Sequence, residues 1–544
     1  MKSKIILLAI ILLGIFVRFV YLDKFPVSLN WDEVSQGYNA LSILKTGHDD
    51  WGQFMPITNF RAYGDYPTTL YMYLTVPLVA LFGLNETTVR LPSALFGSLL
   101  PLIIYFFCQF LFKKKSISLM AAFLVALSPW SVFLSRQAIQ TTPAALLLTL
   151  GIYLFIQGIK RNNSQVIWGT IVLGLSTYAY HNTRIFTPIF FVVLLLHYRR
   201  YFLNNFKKTF IIVFIAAAFF LPVTLAVLSP EGSARSNWVG ILDQGAINDI
   251  NSSRGASKLP PAIAKLVHNK VTYFIPKAFV NYLGYFSPKF LALSGGTQFQ
   301  FNLQGFGIIN PLDYFLLIIG LWAMLFQFHK LDQEKKVVLY WLLLGPIPAA
   351  ITRDPYQVVR STTMLPAVYL VCAFGLTQLV SFTKNWSKFK KLISLGIVVL
   401  LYFVWFGFYL NNLLFVYKDK YSQAWQYGYK QAIQVSEENY SRFSHIAFTK
   451  NYGEAHEFVL FFKSFDPNQY QHDPHLVRYP RSNWFWVDSF DKYLFINDWE
   501  VKEKSKTFKD TLLITTPGNY DPRGKLIKTI NFLDGTPVFD IVAY

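Results

Sequence analysis

The sequence predicts a polytopic α-helical membrane protein of about eleven spans, with a small extracytoplasmic α/β domain at its C-terminal end. Three observations predict it. Of the 544 residues, 53% are hydrophobic and only 15% are charged, whereas a soluble globular chain carries roughly 25% charged residues. Apolar runs of membrane-spanning length recur from Ile5 to Phe415. The Lys and Arg clusters fall in the short loops between those runs, which is how a membrane protein encodes its orientation. Intrinsic disorder is excluded, because it needs low hydrophobicity.

A spanning helix needs about 20 mostly apolar residues. The candidate runs are Ile5–Leu22, Arg90–Phe112, Ile117–Leu134, Thr142–Ile159, Val166–Tyr180, Ile185–His197, Phe210–Leu228, Leu312–Phe328, Val337–Ile351, Ser361–Val380 and Leu392–Phe415. A further run, Thr68–Gly83, is apolar but interrupted by Pro77. With Lys2 and Lys4 inside, the clusters Lys113–Lys115, Lys160–Arg161, Arg199–Lys208, Lys330–Lys336 and Lys384–Lys391 all face inward, provided Thr68–Gly83 does not cross. It is therefore read as an interfacial or re-entrant helix. The net charge of +20 is then a topology signal, and no nucleic-acid partner is expected.

This parity places the N-terminus inside a cytoplasmic membrane and three segments outside. They are loop 23–89, loop 229–311 and residues 418–544; residues 1–417 form the multi-span domain. The tail is more polar, with strand-like stretches at Ser444–Thr449 and Thr511–Thr516 and a turn at Pro517-Gly518-Asn519. The apolar N-terminus is expected to remain attached, since no small-x-small cleavage site follows and Arg18 interrupts its end. Cys108 and Cys372 both lie in apolar runs and suggest neither a disulfide framework nor a metal site.

The first outer loop opens with Trp31-Asp32-Glu33 directly after the first span. Tyr38, Leu41 and Leu44 follow at helical spacing, which predicts a short helix on the membrane surface with the acids at its start. Acids there complement the helix dipole. Equally, a carboxylate pair at a membrane face can do acid–base work. The residues alone leave both readings open.

The stretches "WDEVSQGYNALSILKTGHDDWGQFMP" and "YPTTLYMYLTVPLVALFGLNETTVRLPSALFG" resemble family 39 glycosyltransferases of the GT-C superfamily, which include protein O-mannosyltransferases and lipid A aminoarabinose transferases. So do "LSPWSVFLSRQAI", "GLSTYAYHNTRIFTPIF", "YFSPKFLALSGG" and "WLLLGPIPAAITRDPYQVVRSTTMLPA". The resemblance implies transfer of a sugar from a polyprenyl-phosphate donor to an acceptor hydroxyl on protein, lipid or envelope glycan. By it, Asp32 is the base that takes the acceptor proton, and Glu33 orients the acceptor or supports Asp32.

The departing lipid phosphate needs fixed cations, and Arg suits phosphate. The topology puts Arg136, Arg184, Arg353 and Arg360 at outer helix ends, with His181 beside Arg184 and Lys289 on the long loop. Snorkelling to lipid headgroups is the other account of them. Asp354-Pro355 predicts a turn between Arg353 and Arg360.

The sequence departs from the family in two places. Gly64-Asp65-Tyr66-Pro67-Thr68 stands where many relatives carry Lys or His before Pro-Pro. Arg136-Gln137-Ala138-Ile139-Gln140-Thr141 lacks the second acid that many relatives have. No cofactor and no tightly bound metal is expected, although a divalent ion is not excluded. Asp49, Asp50 and Asp65 read as a solvated loop, and His472 and His475 as surface residues. Membrane lipids are the other expected partner. A lipid or polysaccharide transporter and a non-catalytic membrane assembly factor compete with the enzyme. A transporter should place charges at the bilayer midplane in paired halves, and a scaffold has no use for the acid pair.

Overall fold

The computed structural model describes residues 2–229, 232, 238–481 and 484–544. Its contacts divide the chain into two compact units. The first holds residues 1–18, 95–135 and 140–410; the second holds 19–94, 136–139 and 411–544.

The first unit is helical. Among the described residues five helices are long and apolar enough to cross a membrane: Glu86–Phe112 (which begins in the second unit), Thr141–Arg161, Phe206–Leu228, Leu365–Phe382 and Lys388–Lys420 (which ends in the second unit). Shorter apolar helices include Lys115–Ala126, Gln165–Ser176 and Pro311–Phe326. Two expected runs are broken where proline cannot continue a helix. Ile117–Leu134 splits into Lys115–Ala126 and Pro129–Leu134, and Val337–Ile351 into Gln333–Leu344 and Ile347–Ala350 after Gly345-Pro346. Helices Pro311–Phe326 and Leu365–Phe382 meet at Gly320 and Gly375. A Cβ on either would lie 2.2 Å from a carbonyl oxygen of the other helix, the small-residue contact that membrane helices use. The first helix, α1 (Lys2–Phe19), is tied in by buried Arg18, which donates to Ala126 O at 2.9 Å and Ser131 Oγ at 2.8 Å.

The second unit is built around a seven-stranded mixed sheet. Its strands are β1 (His445–Thr449), β2 (Val477–Arg481), β3 (Trp484–Phe490), β4 (Tyr493–Ile496), β5 (Thr511–Thr515), β6 (Lys525–Asn531) and β7 (Pro537–Ala543), in the order β2-β3-β4-β1-β5-β7-β6. β1 runs parallel to β4 and β5, and the other pairs are antiparallel. The expected strands at Ser444–Thr449 and Thr511–Thr516 are β1 and β5.

Residues 23–89, expected as an outer loop, fold with this sheet. They contribute α2 (Trp31–Thr46) and α3 (Leu70–Phe82). Val34, Tyr38 and Leu41 of α2 share one apolar core with Phe458 and Phe461 of helix Ala455–Phe462. This corrects the expectation that α2 lies on the membrane surface. Residues from Glu33 to Ile43 are buried without a break, because the partner of its apolar face is the C-terminal segment rather than lipid. The close approach needs Gly37, where a Cβ would stand 2.6 Å from the Phe461 ring.

Candidate active site

α2 starts with a capping box. The Asn30 side chain accepts from Glu33 N at 3.0 Å, and Glu33 Oε2 accepts from Asn30 N at 3.2 Å. This fixes the first turn, so the adjacent acids point in different directions. Asp32 is exposed and Glu33 is buried.

Glu33 is fully engaged. Oε1 accepts from Arg90 Nε at 2.9 Å and from Ala138 N at 2.7 Å, and Oε2 also accepts from Arg90 Nη2 at 3.1 Å. Arg90, from the "RLPS" stretch, spends its other donors on the carbonyls of Leu22, Pro26 and Ser28. A buried charge pair of this kind needs every lone pair and proton satisfied, and here Glu33 and Arg90 draw three separated stretches of chain together. Arg136 does similar work. It is buried, and it donates to Phe25 O at 3.1 Å, Val20 O at 2.8 Å and Tyr21 O at 3.0 Å.

Asp32 faces an aromatic wall. Tyr63 donates its hydroxyl to Asp32 Oδ1. The Tyr63 ring lies 6.1 Å from Trp31 and 5.6 Å from Trp484 of β3. Trp484 donates its indole N–H to Glu454 Oε1 at 2.7 Å. Burial and the Asp32 carboxylate push the Tyr63 phenol well above its ordinary range, so it keeps the proton it donates. Burial pushes Glu454 up to about 7. Behind it, burial drives His456 down to about 3 and Glu457 well up.

Asp49 and Asp50 are not solvated as expected. Both are buried, since Asp50 N donates to Asn39 Oδ1 at 3.0 Å, and Gln471 and Arg478 donate to the Asp49 and Asp50 carbonyls, each at 2.8 Å. Burial, with Asp49 alongside, raises Asp50 well above the usual carboxylate range. His472 and His475 are exposed, as expected, and His475 lies 3.3 Å from Asp473. The sequence reading missed Tyr63, Trp484 and Glu454. Gly64 and Gly453 were the available signal, since a Cβ on the first would lie 2.2 Å from the Trp484 ring and on the second 2.3 Å from the Trp31 ring.

Five of the predicted phosphate-binding candidates, Arg184, Arg353, Arg360, His181 and Lys289, lie in the first unit. Arg353 and Arg360 flank the Asp354-Pro355 turn as expected, and Asp354 reaches both, at 3.4 Å from Arg353 Nε and 3.9 Å from Arg360 Nη1. Arg353 also pairs with Asp243 at 2.9 Å. Asn281 pins the turn through the carbonyls of Ala350 and Thr352, at 3.2 and 2.9 Å. Asn182 donates to the Arg360 carbonyl, which brings the His181–Arg184 turn beside Arg360. Arg184 is buried and donates to Thr177 O at 3.1 Å; half-buried His181 rests its ring 6.2 Å from that of Tyr180. Lys289 sits 5.7 Å over the Tyr356 ring. Among the described residues no group of three or more His, Cys, Asp or Glu side chains is arranged to hold a metal.

Residues 67–225 match the model of the dolichyl-phosphate-mannose-protein mannosyltransferase family. ArnT from Cupriavidus metallidurans bound to undecaprenyl phosphate is similar in structure at 13% identity and a TM-score of 0.53, over 98% of this chain and 97% of that one. The chain has the GT-C fold. The chain is also similar to the oligosaccharyltransferase AglB from Archaeoglobus fulgidus, in complex with an inhibitory peptide and a dolichol-phosphate, at 13% identity and a TM-score of 0.52. That match covers 85% of this chain and 63% of AglB, so this chain spans under two thirds of AglB's length. No curated protein matches the sequence.

Proposed function

We propose that the protein is a multi-pass membrane glycosyltransferase that moves a sugar from a polyprenyl-phosphate donor to an acceptor hydroxyl, with Asp32 as the base. The observation that carries this reading is the split of the acid pair. Glu33 is buried and bonded on both oxygens, while Asp32 is exposed on the same rigid first turn. A carboxylate held by its neighbours and presented outward meets the geometric need of a general base. Asp32 takes the acceptor O–H proton as the acceptor oxygen bonds to the sugar's anomeric carbon. The bond from that carbon to the phosphate oxygen breaks, and polyprenyl phosphate leaves with the electron pair.

Glu33 and Arg136 hold the loop rather than the substrates. Arg353 and Arg360 meet the charge of the leaving phosphate, with Arg184 and His181 next to them. Residues 1–417 form the transferase domain and 418–544 the extracytoplasmic one, with the N-terminus inside. The transporter reading gains nothing from the exposed position of Asp32.

The test is transfer by detergent-purified protein from a panel of radiolabelled undecaprenyl-phosphate and dolichyl-phosphate sugars to protein, lipid and glycan acceptors. Turnover with one donor is expected, and Asp32→Asn should lower it about 10²–10⁴-fold with donor binding retained. Wild-type turnover by Asp32→Asn would end the assignment.

A further inference from the structure

Asp32 is exposed on the first turn of a helix, where an aspartate side chain ordinarily samples several rotamers. A base must keep one direction toward its proton. In this structure that direction is set from outside the helix. Tyr63 donates to Oδ1, which fixes the rotation of the carboxylate. Tyr63 is itself 6% exposed and lies between Trp31 and Trp484. Trp484 approaches it over Gly64, the one residue type that leaves room for the indole. The far edge of Trp484 is held by its N–H bond to Glu454, which is 6% exposed. A continuous path of contacts thus runs from the C-terminal segment to the carboxylate.

We propose that Tyr63 is a positioning residue for Asp32, and that Trp484 and Glu454 hold Tyr63 in place, so that the C-terminal segment sets the geometry of the base. The inference rests on reading Asp32 as the base. It gives the C-terminal domain a task in the chemistry that does not depend on contact with the acceptor. The phenol suits the task because it remains protonated beside a carboxylate, and a donated hydrogen bond favours the charged, proton-accepting form of its partner.

The experiment compares Tyr63→Phe, Trp484→Phe, Trp484→Leu and Asp32→Asn in full-length purified protein, using the panel donor that wild-type protein turns over. Tyr63→Phe should lower kcat about tenfold to a hundredfold with donor KM unchanged. The acidic limb of its kcat/KM profile should move to higher pH, because the carboxylate has lost a hydrogen bond. Trp484→Leu should show the same signature, and Trp484→Phe, which keeps a ring against Tyr63, a weaker one. In the Asp32→Asn background, Tyr63→Phe should cost nothing further. An active Asp32→Asn overturns the base itself. An inactive Asp32→Asn together with wild-type kcat and pH profile in Tyr63→Phe overturns the positioning role and leaves the base standing. Should Tyr63→Phe fail to fold, wild-type kinetics in Trp484→Leu overturn the proposal just as directly.

Discussion

Neighbouring residues of the same chemistry divide the work between them. Removing Glu33 as Ala leaves Arg90 buried without its counter-charge, and breaking a buried pair this way costs about 3–5 kcal/mol. A thermal melt of the purified protein should fall sharply for Glu33→Ala, while exposed Asp32→Asn should melt close to wild type. The arginine turn makes a different prediction. If Arg353 and Arg360 grip phosphate, Arg353→Lys and Arg360→Lys should raise donor KM without loss of folding, because Lys lacks the planar fork. Unchanged kinetics in both would leave them as partners of Asp243 and Asp354. Glu454 predicts a pH effect. Its carboxyl is raised from about 4.5 to about 7 by burial, so the folded state binds more protons than the unfolded one across that interval, and stability falls as pH rises through it. His456, lowered from 6.5 to about 3, opposes this below pH 6.5. The decline should therefore be clearest from 6.5 to 7; the raised carboxyls of Glu457 and Asp50 act in the same sense, so Glu454→Gln should lessen it. A wild-type melting temperature that rises across this interval would contradict the assignment.

At the level of elements, the hairpin of β2 and β3 fits against residues 59–68 only because Gly64 lacks a side chain. Gly64→Val should lower the melting temperature, since overpacking costs about 1–3 kcal/mol, and should reduce turnover by displacing Trp484. α3 has 13 residues and is about 20 Å long at the usual rise per residue, short of a hydrocarbon core of about 30 Å. Cysteines placed at Asp65 and Gly83 should therefore be labelled from the same side of the membrane, and labelling from opposite sides would show that α3 crosses. The helices were legible because a run such as Phe210–Leu228 has one physical reading. The interior of the acid site was not, because nothing local marks Glu33 as buried and Asp32 as exposed. That distinction comes from Arg90 and Ala138, which no periodicity links to α2. Asp49 and Asp50 read as solvated for the same reason, since their cover, Gln471 and Arg478, comes from the far end of the sequence.

For the whole molecule, the expected orientation is open to a direct test. A reporter fused after Tyr544 should be active only outside the cytoplasm. Activity confined to the cytoplasm would reverse the topology and remove the arginines from the outer face. The second unit is assembled from three separate stretches of chain, and Gln471 meets the Asp49 carbonyl across 422 residues of sequence. Contacts of such separation form late, because the intervening loop must be closed first. During synthesis α2 therefore emerges long before the strands that will bury it, with Tyr38 and Leu41 uncovered and the wall beside Asp32 still lacking Trp484. The carboxylate of Asp32 is thus synthesised well before Trp484 and Glu454, the C-terminal residues that hold Tyr63 against it. On the proposed function, a chain stalled before β3 would hold Tyr63 without Trp484 against it and should turn over more slowly than the finished protein.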